Sequence, residues 1–569
     1  MADIETADAP GGAGEDVVTT ARAWLAQDPD AETRAELEAL LSSAEAGSAD
    51  ALAELHNRFD TRLAFGTAGL RGRIEAGSAR MNRVLVSQAA AGLAAYLLER
   101  EASPSIVIGY DGRKNSSVFA RDTAEIMAGA GVRAVLLPRL LPTPVLAFAV
   151  RHLDVSAGVM VTASHNPPAD NGYKVYLGGE DRGSQIVSPS DAEIAEHITR
   201  VAAEQNVLEL LRSDAFETAG EDLLDAYVEQ TARVMTAKPV DLNVVYTAMH
   251  GVGWETFSRV AEQAGLTPVV PVEEQQFPDA AFPTVSFPNP EEPGALDLAY
   301  AKAREVGAEL IVANDPDADR LSIAIPDASR EEGYRQLSGN EVGWLLGWRS
   351  AVLNAEQSVP GGVLACSIVS SPALAAVARE YNLDFVETLT GFKWVSRVPN
   401  LIFGYEEALG YLVNPTTVRD KDGISAAIDF LSMACFLKDQ GVTVERALEA
   451  FAEKFGYFAS DQLSLRVTDL SDITTIMAHL RAEPLQELGG VKVAEIDDLI
   501  DGFGSLPPTD ALRFVLADGS RVMTRPSGTE PKIKFYLDVQ RPNDKRDEAS
   551  VVLAAIKSHL AAIAEQATA

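Results

Sequence analysis

Residues 105–138 read "SIVIGYDGRKNSSVFARDTAEIMAGAGVRAVLLP", and this stretch indicates the fold class. An apolar run at 105–113 precedes a helical pattern at 117–131, and a second apolar run follows at 133–138. Short apolar runs that each feed a helix are typical of buried strands in α/β layers with much parallel pairing. The stretch therefore predicts a β-α-β unit.

The same pattern begins again at residue 241 and at residue 361, which gives three α/β domains with mixed sheets. Within the third copy we predict strands at 383–394 and 400–411. The C-terminal part is predicted to be an antiparallel α+β domain, and the first residues a disordered start followed by a helical extension. The predicted segments are an extension at 1–60, α/β domains at 61–212, 213–335 and 336–456, and an α+β domain at 457–569.

Polar residues follow directly after a strand in each copy of the pattern. Open α/β sheets bind ligands outside the carboxyl ends of their strands. Three such edges and one loop of the last domain could surround one site. We therefore predict four domains around a central cleft.

Composition limits the partners of the chain. It has 569 residues and a formal net charge of −35, which disfavours nucleic acid and anionic lipid as ligands. The two cysteines form no metal-binding or disulfide pattern, and neither a signal sequence nor a membrane span is evident. We expect a cytoplasmic monomer or dimer that acts on small molecules.

The first chemical motif is "DPDADR" at 315–320, which follows the apolar run "ELIVAN". If the segment is extended, Asp315, Asp317 and Asp319 point the same way and repel each other unless a cation lies among them. Hard oxygen ligands of this kind suit Mg²⁺. A solvated acidic turn is the alternative, although Arg320 could hold a phosphate oxygen beside the cluster.

The second motif is "VTASHNPPADNGYKVY" at 161–176. Pro167 and Pro168 restrict the residues before them, so the Ser164 hydroxyl is expected to have a fixed position. A serine that faces carboxylates and a metal fits phosphoryl transfer, whereas no G-x-S-x-G elbow supports acyl transfer. A solvated or capping hydroxyl is the alternative.

The third motif is "TRPSGTEPKIKFY" at 524–536, which combines a guanidinium, two hydroxyls and a glycine in one turn. This composition suits a phosphate site, and an ordinary hairpin turn is the alternative.

Together, "FGTAGLRG" (65–72), the Ser164 motif, "DPDADR", "GYEEALG" (404–410) and "RPSGTEPKIKFY" (525–536) resemble the α-D-phosphohexomutase superfamily. The "FGTAGLRG" start, "GFKW" and the N-terminal helices are similar to its phosphoglucomutase/phosphopentomutase branch. The resemblance implies an isomerase that interconverts glucose 1-phosphate and glucose 6-phosphate. It also implies a phosphoserine at Ser164, Mg²⁺ as cofactor and a sugar bisphosphate of the glucose 1,6-bisphosphate type as activator.

The resemblance also implies roles for individual residues. The catalytic group would be Ser164, His165, Lys174, Arg71 and Lys393, and Mg²⁺ would be bound by Ser164, Asp315, Asp317 and Asp319. Sugar phosphate would be bound by Arg320, Thr390, Gly391, Glu406, Lys421, Arg525, Ser527, Gly528 and Thr529.

One departure leaves the sugar open. Many hexomutases have a serine in the sugar-binding loop where this chain has Ala408. A site that lacks a hydrogen-bonding partner discriminates less between related substrates. Mannose or pentose phosphates therefore remain alternatives, as do a Mg²⁺-dependent sugar phosphatase and a sugar-phosphate-binding protein without turnover.

Overall fold

The computed structural model describes residues 17–357, 361–466, 470–504, 506–526 and 532–567. The chain divides into two compact units, which are described separately. The first unit comprises the chain up to residue 335 together with residues 416–428. The second unit comprises residues 336–415 and the chain from residue 429 onward. The expected disordered start lies outside the described residues.

The helices, in chain order, are α1 Val17–Gln27, α2 Ala31–Glu45, α3 Ala49–Phe59, α4 Arg83–Arg100, α5 Ser116–Gly129, α6 Thr143–His152, α7 Ser190–Glu204, α8 Glu221–Ala232, α9 Gly253–Gln263, α10 Asp297–Val306, α11 Gly339–Glu356, α12 Ala373–Glu380, α13 Phe392–Val395, α14 Gly423–Asp439, α15 Val444–Phe455, α16 Leu470–Ala482 and α17 Arg546–Ala567. The strands are β1 Leu70–Arg73, β2 Ser105–Tyr110, β3 Arg133–Leu136, β4 Ala157–Val161, β5 Asp170–Leu177, β6 Ser184–Gln185, β7 Glu217–Thr218, β8 Val244–Thr247, β9 Val270–Pro271, β10 Leu310–Ala313, β11 Ser322–Pro326, β12 Tyr334–Gln336, β13 Val363–Ser367, β14 Asp384–Thr388, β15 Leu401–Glu406, β16 Gly410–Leu412, β17 Tyr457–Arg466, β18 Glu487–Leu488, β19 Val491–Asp498, β20 Leu512–Leu516, β21 Arg521–Pro526 and β22 Lys532–Arg541.

Two mixed sheets occupy the first part of the chain. The order of the first sheet is β1-β5-β4-β2-β3-β7, with β6 beside β5, and the order of the second is β12-β11-β10-β8-β9. Strand β2 runs parallel to β3 and β4, whereas β5 runs antiparallel to β4. All five residues of β4 are buried, as expected for a strand that is covered on both faces.

The later part of the chain contains a third mixed sheet, β14-β13-β15-β16, and a fourth sheet, β17-β22-β21-β20-β19-β18. Strand β13 is parallel to β14 and β15, and β16 is antiparallel to β15. The pairs of the fourth sheet are antiparallel. The predicted α/β class, with an antiparallel C-terminal domain and N-terminal helices, is confirmed. The exact domain boundaries and the central cleft stay predictions.

Two predicted strands are broken in the structure. The chain at 383–394 leaves β14 after Thr388 and enters α13 through Gly391, whose φ of +108° ends the extended run. The chain at 400–411 turns between β15 and β16, where Leu409 has a φ of +62°. Apolar content alone does not reveal either turn. Within the described residues, no helix is both long and apolar enough to cross a membrane.

Candidate active site

The Ser164 loop begins directly after the buried strand β4. Ser164 has a φ of +51°, and its side chain and backbone are only 2% exposed. A non-glycine residue in this left-handed region costs on the order of 1–3 kcal/mol, so surrounding contacts must hold it there. Its backbone N–H donates to Thr162 Oγ1 at 2.8 Å. The hydroxyl position is therefore fixed by the fold.

Arg113 supplies most of the contacts that hold this loop. Its guanidinium donates to the carbonyl oxygens of Ser164 at 2.5 Å, Asn166 at 2.6 Å and Pro167 at 2.8 Å. Asp111 holds the start of the same loop, because its Oδ2 accepts a hydrogen bond from the Thr162 hydroxyl at 2.7 Å. One buried pair, Asp111 and Arg113, thus organises both ends of the turn.

The three aspartates of "DPDADR" lie on a turn after β10, and the expected extended geometry is wrong. Ala318 has a φ of +55° and brings Asp319 back toward Asp315. One oxygen from each of Asp315, Asp317 and Asp319 nevertheless lies within 4.8 Å of the others, and all three residues are fully buried. A buried cluster of this kind excludes the solvated acidic turn.

The serine and the aspartates meet in the first unit. Ser164 Oγ donates to Asp315 Oδ2 at 2.7 Å. Asp317 Oδ1 and Asp319 Oδ1 are buried and accept no hydrogen bond from any described residue. Buried carboxylate oxygens without a partner are costly, and a divalent cation with oxygen ligands would satisfy them. The residues present therefore fit a Mg²⁺ ion.

Cationic side chains surround the aspartates. Lys174 Nζ lies 2.8 Å from Asp317 Oδ2 and 2.9 Å from Asp319 Oδ2. Lys421 Nζ lies 3.2 Å from Asp319 Oδ2. Arg320 Nε is 3.9 Å from Asp319 Oδ1, and this nitrogen donates no hydrogen bond to the described residues. A buried guanidinium of this kind is suited to an anionic oxygen.

The pKa values reflect this distribution of charge. Burial raises the pKa of Asp315 well above its ordinary value, and the charges of Asp317 and Asp319 raise it further. Burial also opposes ionisation of Asp319, but the charges of Lys174 and Lys421 outweigh it and lower the pKa. Burial and mutual repulsion therefore disfavour the simultaneous ionisation of all three carboxyl groups, although cations surround them.

Two further predicted residues contact the serine loop. His165 Nδ1 lies 3.1 Å from Ser164 Oγ, and burial, then the charges of Arg320 and Arg71, lower the pKa of His165 well below its ordinary value. Arg71 Nη1 donates to Asn166 Oδ1 at 3.0 Å. The first unit therefore brings together Arg71, Ser164, His165, Lys174, Asp315, Asp317, Asp319, Arg320 and Lys421.

The remaining predicted residues belong to the second unit. Glu406, at the end of β15, accepts the Gly391 N–H at 2.6 Å, and Thr390 and Lys393 flank that glycine. Arg525 lies on β21 opposite Lys534 of β22. Ser527, Gly528 and Thr529 lie outside the described residues. That all the predicted residues share one cleft stays a prediction.

The sequence patterns assign no role to several residues that hold this site. Asp111 and Arg113 follow strand β2 as Ser164 follows β4, so the rule of polar residues at strand ends could have found them. Thr143 donates its hydroxyl to Asp317 Oδ2 at 2.7 Å, and no motif marks it. A single sequence contains no pattern from which a contact between two residues this far apart in the chain could be predicted.

Comparison with known proteins gives the family. Models of the phosphoglucomutase/phosphomannomutase family match in order: alpha/beta/alpha domain I at 62–205, domain II at 225–328, domain III at 338–455 and the C-terminal domain at 465–554. The chain therefore belongs to the phosphoglucomutase/phosphomannomutase family, and the predicted enzyme class, a phosphosugar mutase, is confirmed.

The names of individual relatives refer to different sugar phosphates. The chain is 56% identical to a protein of Haemophilus influenzae named "Probable phosphomannomutase", over 83% of this chain and 95% of that protein. It is 36% identical to the phosphoribomutase of Saccharomyces cerevisiae, over 92% of each chain. A solved phosphoglucomutase/phosphomannomutase family protein of Burkholderia thailandensis has a TM-score of 0.67 at 20% identity, over 88% of this chain and 96% of that one, which is a likeness of fold.

Proposed function

We propose that this enzyme interconverts glucose 1-phosphate and glucose 6-phosphate through a phosphoserine at Ser164 and a glucose 1,6-bisphosphate intermediate. The observation that carries the proposal is the 2.7 Å contact of Ser164 Oγ with Asp315 Oδ2, beside two buried carboxylate oxygens that have no hydrogen-bond partner among the described residues. A fixed hydroxyl at a carboxylate cluster supports phosphoryl transfer, in which positioning and charge stabilisation supply most of the catalysis.

The proposed reaction consists of two phosphoryl transfers, in which a different phosphoryl group moves each time. In the first, the bond between phosphorus and Ser164 Oγ breaks, a bond from phosphorus to a sugar hydroxyl oxygen forms, and the net result moves the sugar hydroxyl proton to Ser164 Oγ. The bisphosphate then reorients. In the second transfer the other phosphoryl group of the bisphosphate moves to Ser164 Oγ, and the net result moves the Oγ proton to the sugar oxygen that has lost its phosphoryl group. Each cycle leaves Ser164 phosphorylated again, and free bisphosphate acts as the activator that phosphorylates Ser164 initially.

Residues of the first unit would stabilise the transferred group. Mg²⁺ held by Asp315, Asp317 and Asp319 would supply a positive charge that neutralises the phosphoryl oxygens. Arg320 offers a buried N–H for one of those oxygens. The neutral imidazole of His165 orients the serine hydroxyl without adding charge.

Residues of the second unit would bind the rest of the substrate. We assign Glu406, Thr390 and Gly391 to the sugar hydroxyls, and Arg525, Ser527, Gly528 and Thr529 to the phosphate that is not transferred. A carboxylate such as Glu406 accepts hydrogen bonds from hydroxyls, and an arginine clamps phosphate through two parallel N–H groups. Lys393 would lie near the transferred group or the substrate.

Mannose 1-phosphate is the second candidate substrate, because the Haemophilus influenzae relative is named for it and Ala408 offers no hydroxyl to the sugar. Ribose 1-phosphate is the third, by the name of the yeast relative. The deciding measurement is kcat/KM for the 1-phosphates of glucose, mannose, glucosamine, ribose and deoxyribose, each with catalytic bisphosphate. We expect the highest kcat/KM with glucose 1-phosphate. A higher kcat/KM with another sugar 1-phosphate would identify that compound as the preferred substrate.

The same assay separates a mutase from the other reaction classes. A phosphatase would release phosphate steadily, whereas a mutase should release almost none. A binding protein would show neither activity. Ser164→Ala should lower kcat by at least about 10³-fold and leave substrate binding intact, because it removes the phosphoryl acceptor. Full kcat in this variant would exclude the phosphoserine.

A further inference from the structure

Lys421 reaches the aspartate cluster from a segment that lies far away in the sequence. Residues 416–428 belong to the first unit, although the chain on both sides of them belongs to the second. Lys421 Nζ lies 3.2 Å from Asp319 Oδ2. A flexible four-carbon side chain does not hold such a position by itself, so the backbone that carries it must be fixed.

The two aspartates that flank Lys421 are each bonded to a buried tyrosine. Asp420 Oδ2 accepts the Tyr176 hydroxyl at 2.9 Å and Gln185 Nε2 at 2.8 Å. Asp422 accepts the Tyr227 hydroxyl at 3.0 Å on Oδ1 and 3.1 Å on Oδ2. Tyr176 and Tyr227 are fully buried, and each aspartate is only 1% exposed. Hydrogen bonds between hydroxyls and buried carboxylates are among the stronger ones in proteins.

The backbone between these anchors is also constrained. Asp420 Oδ1 accepts the Lys421 N–H at 2.8 Å, and Asp422 Oδ1 accepts the N–H groups of Ile424 at 3.0 Å and Ser425 at 2.9 Å, at the start of α14. At Gly423, a Cβ atom would lie 2.2 Å from the Arg320 carbonyl oxygen. The segment thus packs directly against the turn that carries the metal-binding aspartates.

We propose that Tyr176, Asp420, Asp422 and Tyr227 are positioning residues that hold the Lys421 ammonium beside Asp319, where it contacts the phosphoryl group in transfer. The proposal rests on the proposed mutase function. Tyr176 belongs to β5 and Tyr227 to α8, so two separate elements would fix the position of Lys421. If the Tyr176 hydroxyl is removed, the buried carboxylate of Asp420 loses one hydrogen-bond donor, and removal of the Tyr227 hydroxyl has the same effect on Asp422. Either loss would weaken the attachment of the segment that carries Lys421.

The test is a double-mutant cycle. Tyr176→Phe and Tyr227→Phe should each lower kcat by about 10-fold and leave KM within about twofold, because a misplaced cation affects the transition state more than substrate binding. In a Lys421→Ala background the same substitutions should have no further effect on kcat. Tyr334→Phe is the matched control, because this buried tyrosine donates instead to the Ala303 and Ala308 carbonyls. Equal losses in both backgrounds, or no loss in either, would overturn the proposal.

A second measurement is independent of turnover. Competitive labelling with acetic anhydride, followed by mass spectrometry, reports the reactivity of the Lys421 amine in each folded variant. We expect labelling of Lys421 to rise about threefold or more in Tyr176→Phe and Tyr227→Phe and to stay unchanged in Tyr334→Phe, because the ion pair with Asp319 is loosened. Unchanged labelling would overturn the proposal. If the wild-type enzyme lacks mutase activity, the proposed function fails, and the labelling still decides whether the tyrosines position Lys421.

Discussion

Several residues of this site have an unfavourable backbone conformation or a buried polar atom without a hydrogen bond from the described residues, and neighbouring residues hold them in place. Ser164 has a left-handed backbone, and Asp317 and Asp319 each bury an oxygen that accepts no hydrogen bond within the described part of the chain. Features of this kind persist where the surrounding structure over-determines them, and they cluster at functional sites. The unfavourable free energy of these three residues therefore indicates that they belong to a functional site.

Asp317→Asn tests the metal site at the scale of one residue. The substitution removes one negative charge and one anionic ligand, so we expect weaker Mg²⁺ binding and a kcat lower by about 10²-fold or more. Steady-state kinetics over a Mg²⁺ titration measures both effects. Asp50→Asn, on the exposed surface of α3, is the control. In the wild type, EDTA should abolish turnover and excess Mg²⁺ should restore it, and normal turnover in EDTA would contradict the metal assignment.

At the scale of elements, the residues of the site lie in the short connections that follow the strands. Hydrogen bonds between particular side chains and backbone groups fix the shape of these connections. Arg113, after β2, donates to three carbonyl oxygens of the loop after β4. A planar guanidinium can make these bonds together, and a lysine ammonium of the same charge cannot.

Arg113→Lys should therefore lower kcat by about 10-fold to 100-fold while changing KM little, because the serine hydroxyl loses its fixed position. Arg83→Lys is the matched control, since Arg83 forms a two-pronged pair with Asp122 away from the serine. Kinetics and thermal denaturation of the two variants separate the effects. Equal changes in kcat in both variants would show that Arg113 has only a general structural role.

Asp422 allows a test of pH dependence in the segment that carries Lys421. Burial raises the pKa of Asp422 to about 6, from an ordinary value of 3.8. Because folding favours the protonated form, its stabilising contribution is present below the unfolded value and is lost as pH rises through about 6. Asp422→Asn keeps the hydrogen-bond acceptor and cannot ionise.

We expect the unfolding free energy of Asp422→Asn, relative to wild type, to increase by about 1–2 kcal/mol between about pH 5 and about pH 7. Denaturant unfolding at several pH values measures the difference. Asp50→Asn, on the exposed surface of α3, is the control variant. A difference that is constant with pH would contradict the raised pKa.

The sequence predicts these elements unevenly, and particular residues show why. The run "AGVMV" and the prolines after Ser164 are local signals, so β4 and its loop are predictable from the chain itself. The extended geometry that the sequence predicts for the three aspartates is wrong, because alanine at position 318 gives no sign of a left-handed conformation. The Tyr176 and Tyr227 contacts join residues more than 190 positions apart, and only the folded chain reveals them.

At the scale of the whole molecule, the charge balance is dominated by the acidic surface. The formal net charge is −35, yet Lys174, Lys421 and Arg320 gather around three aspartates in the first unit. Local positive charge is thus built into an anionic protein. The surface charges repel one another at low ionic strength, and this self-repulsion destabilises the folded state.

Added salt should therefore stabilise the enzyme. Between about 10 mM and about 150 mM NaCl the Debye length falls from about 30 Å to about 8 Å, which screens surface repulsion more than buried ion pairs. We expect Tm to rise by a few degrees, roughly 2–6 °C. Differential scanning calorimetry measures the shift, and choline chloride at the same ionic strength separates screening from binding of Na⁺. A fall in Tm would show that attractive ion pairs dominate.

The membership of residues 416–428 in the first unit limits how this polypeptide can be dissected. A fragment that ends at Arg335 would keep the serine and all three aspartates but would lack Lys421 and the glycine that packs on Arg320. Such a half-enzyme would carry an anionic centre with one cation fewer. A cut at residue 335 therefore places Lys421 and the aspartate cluster on separate fragments, and reconstitution from these two fragments would require residues 416–428 of the second to pack on the first.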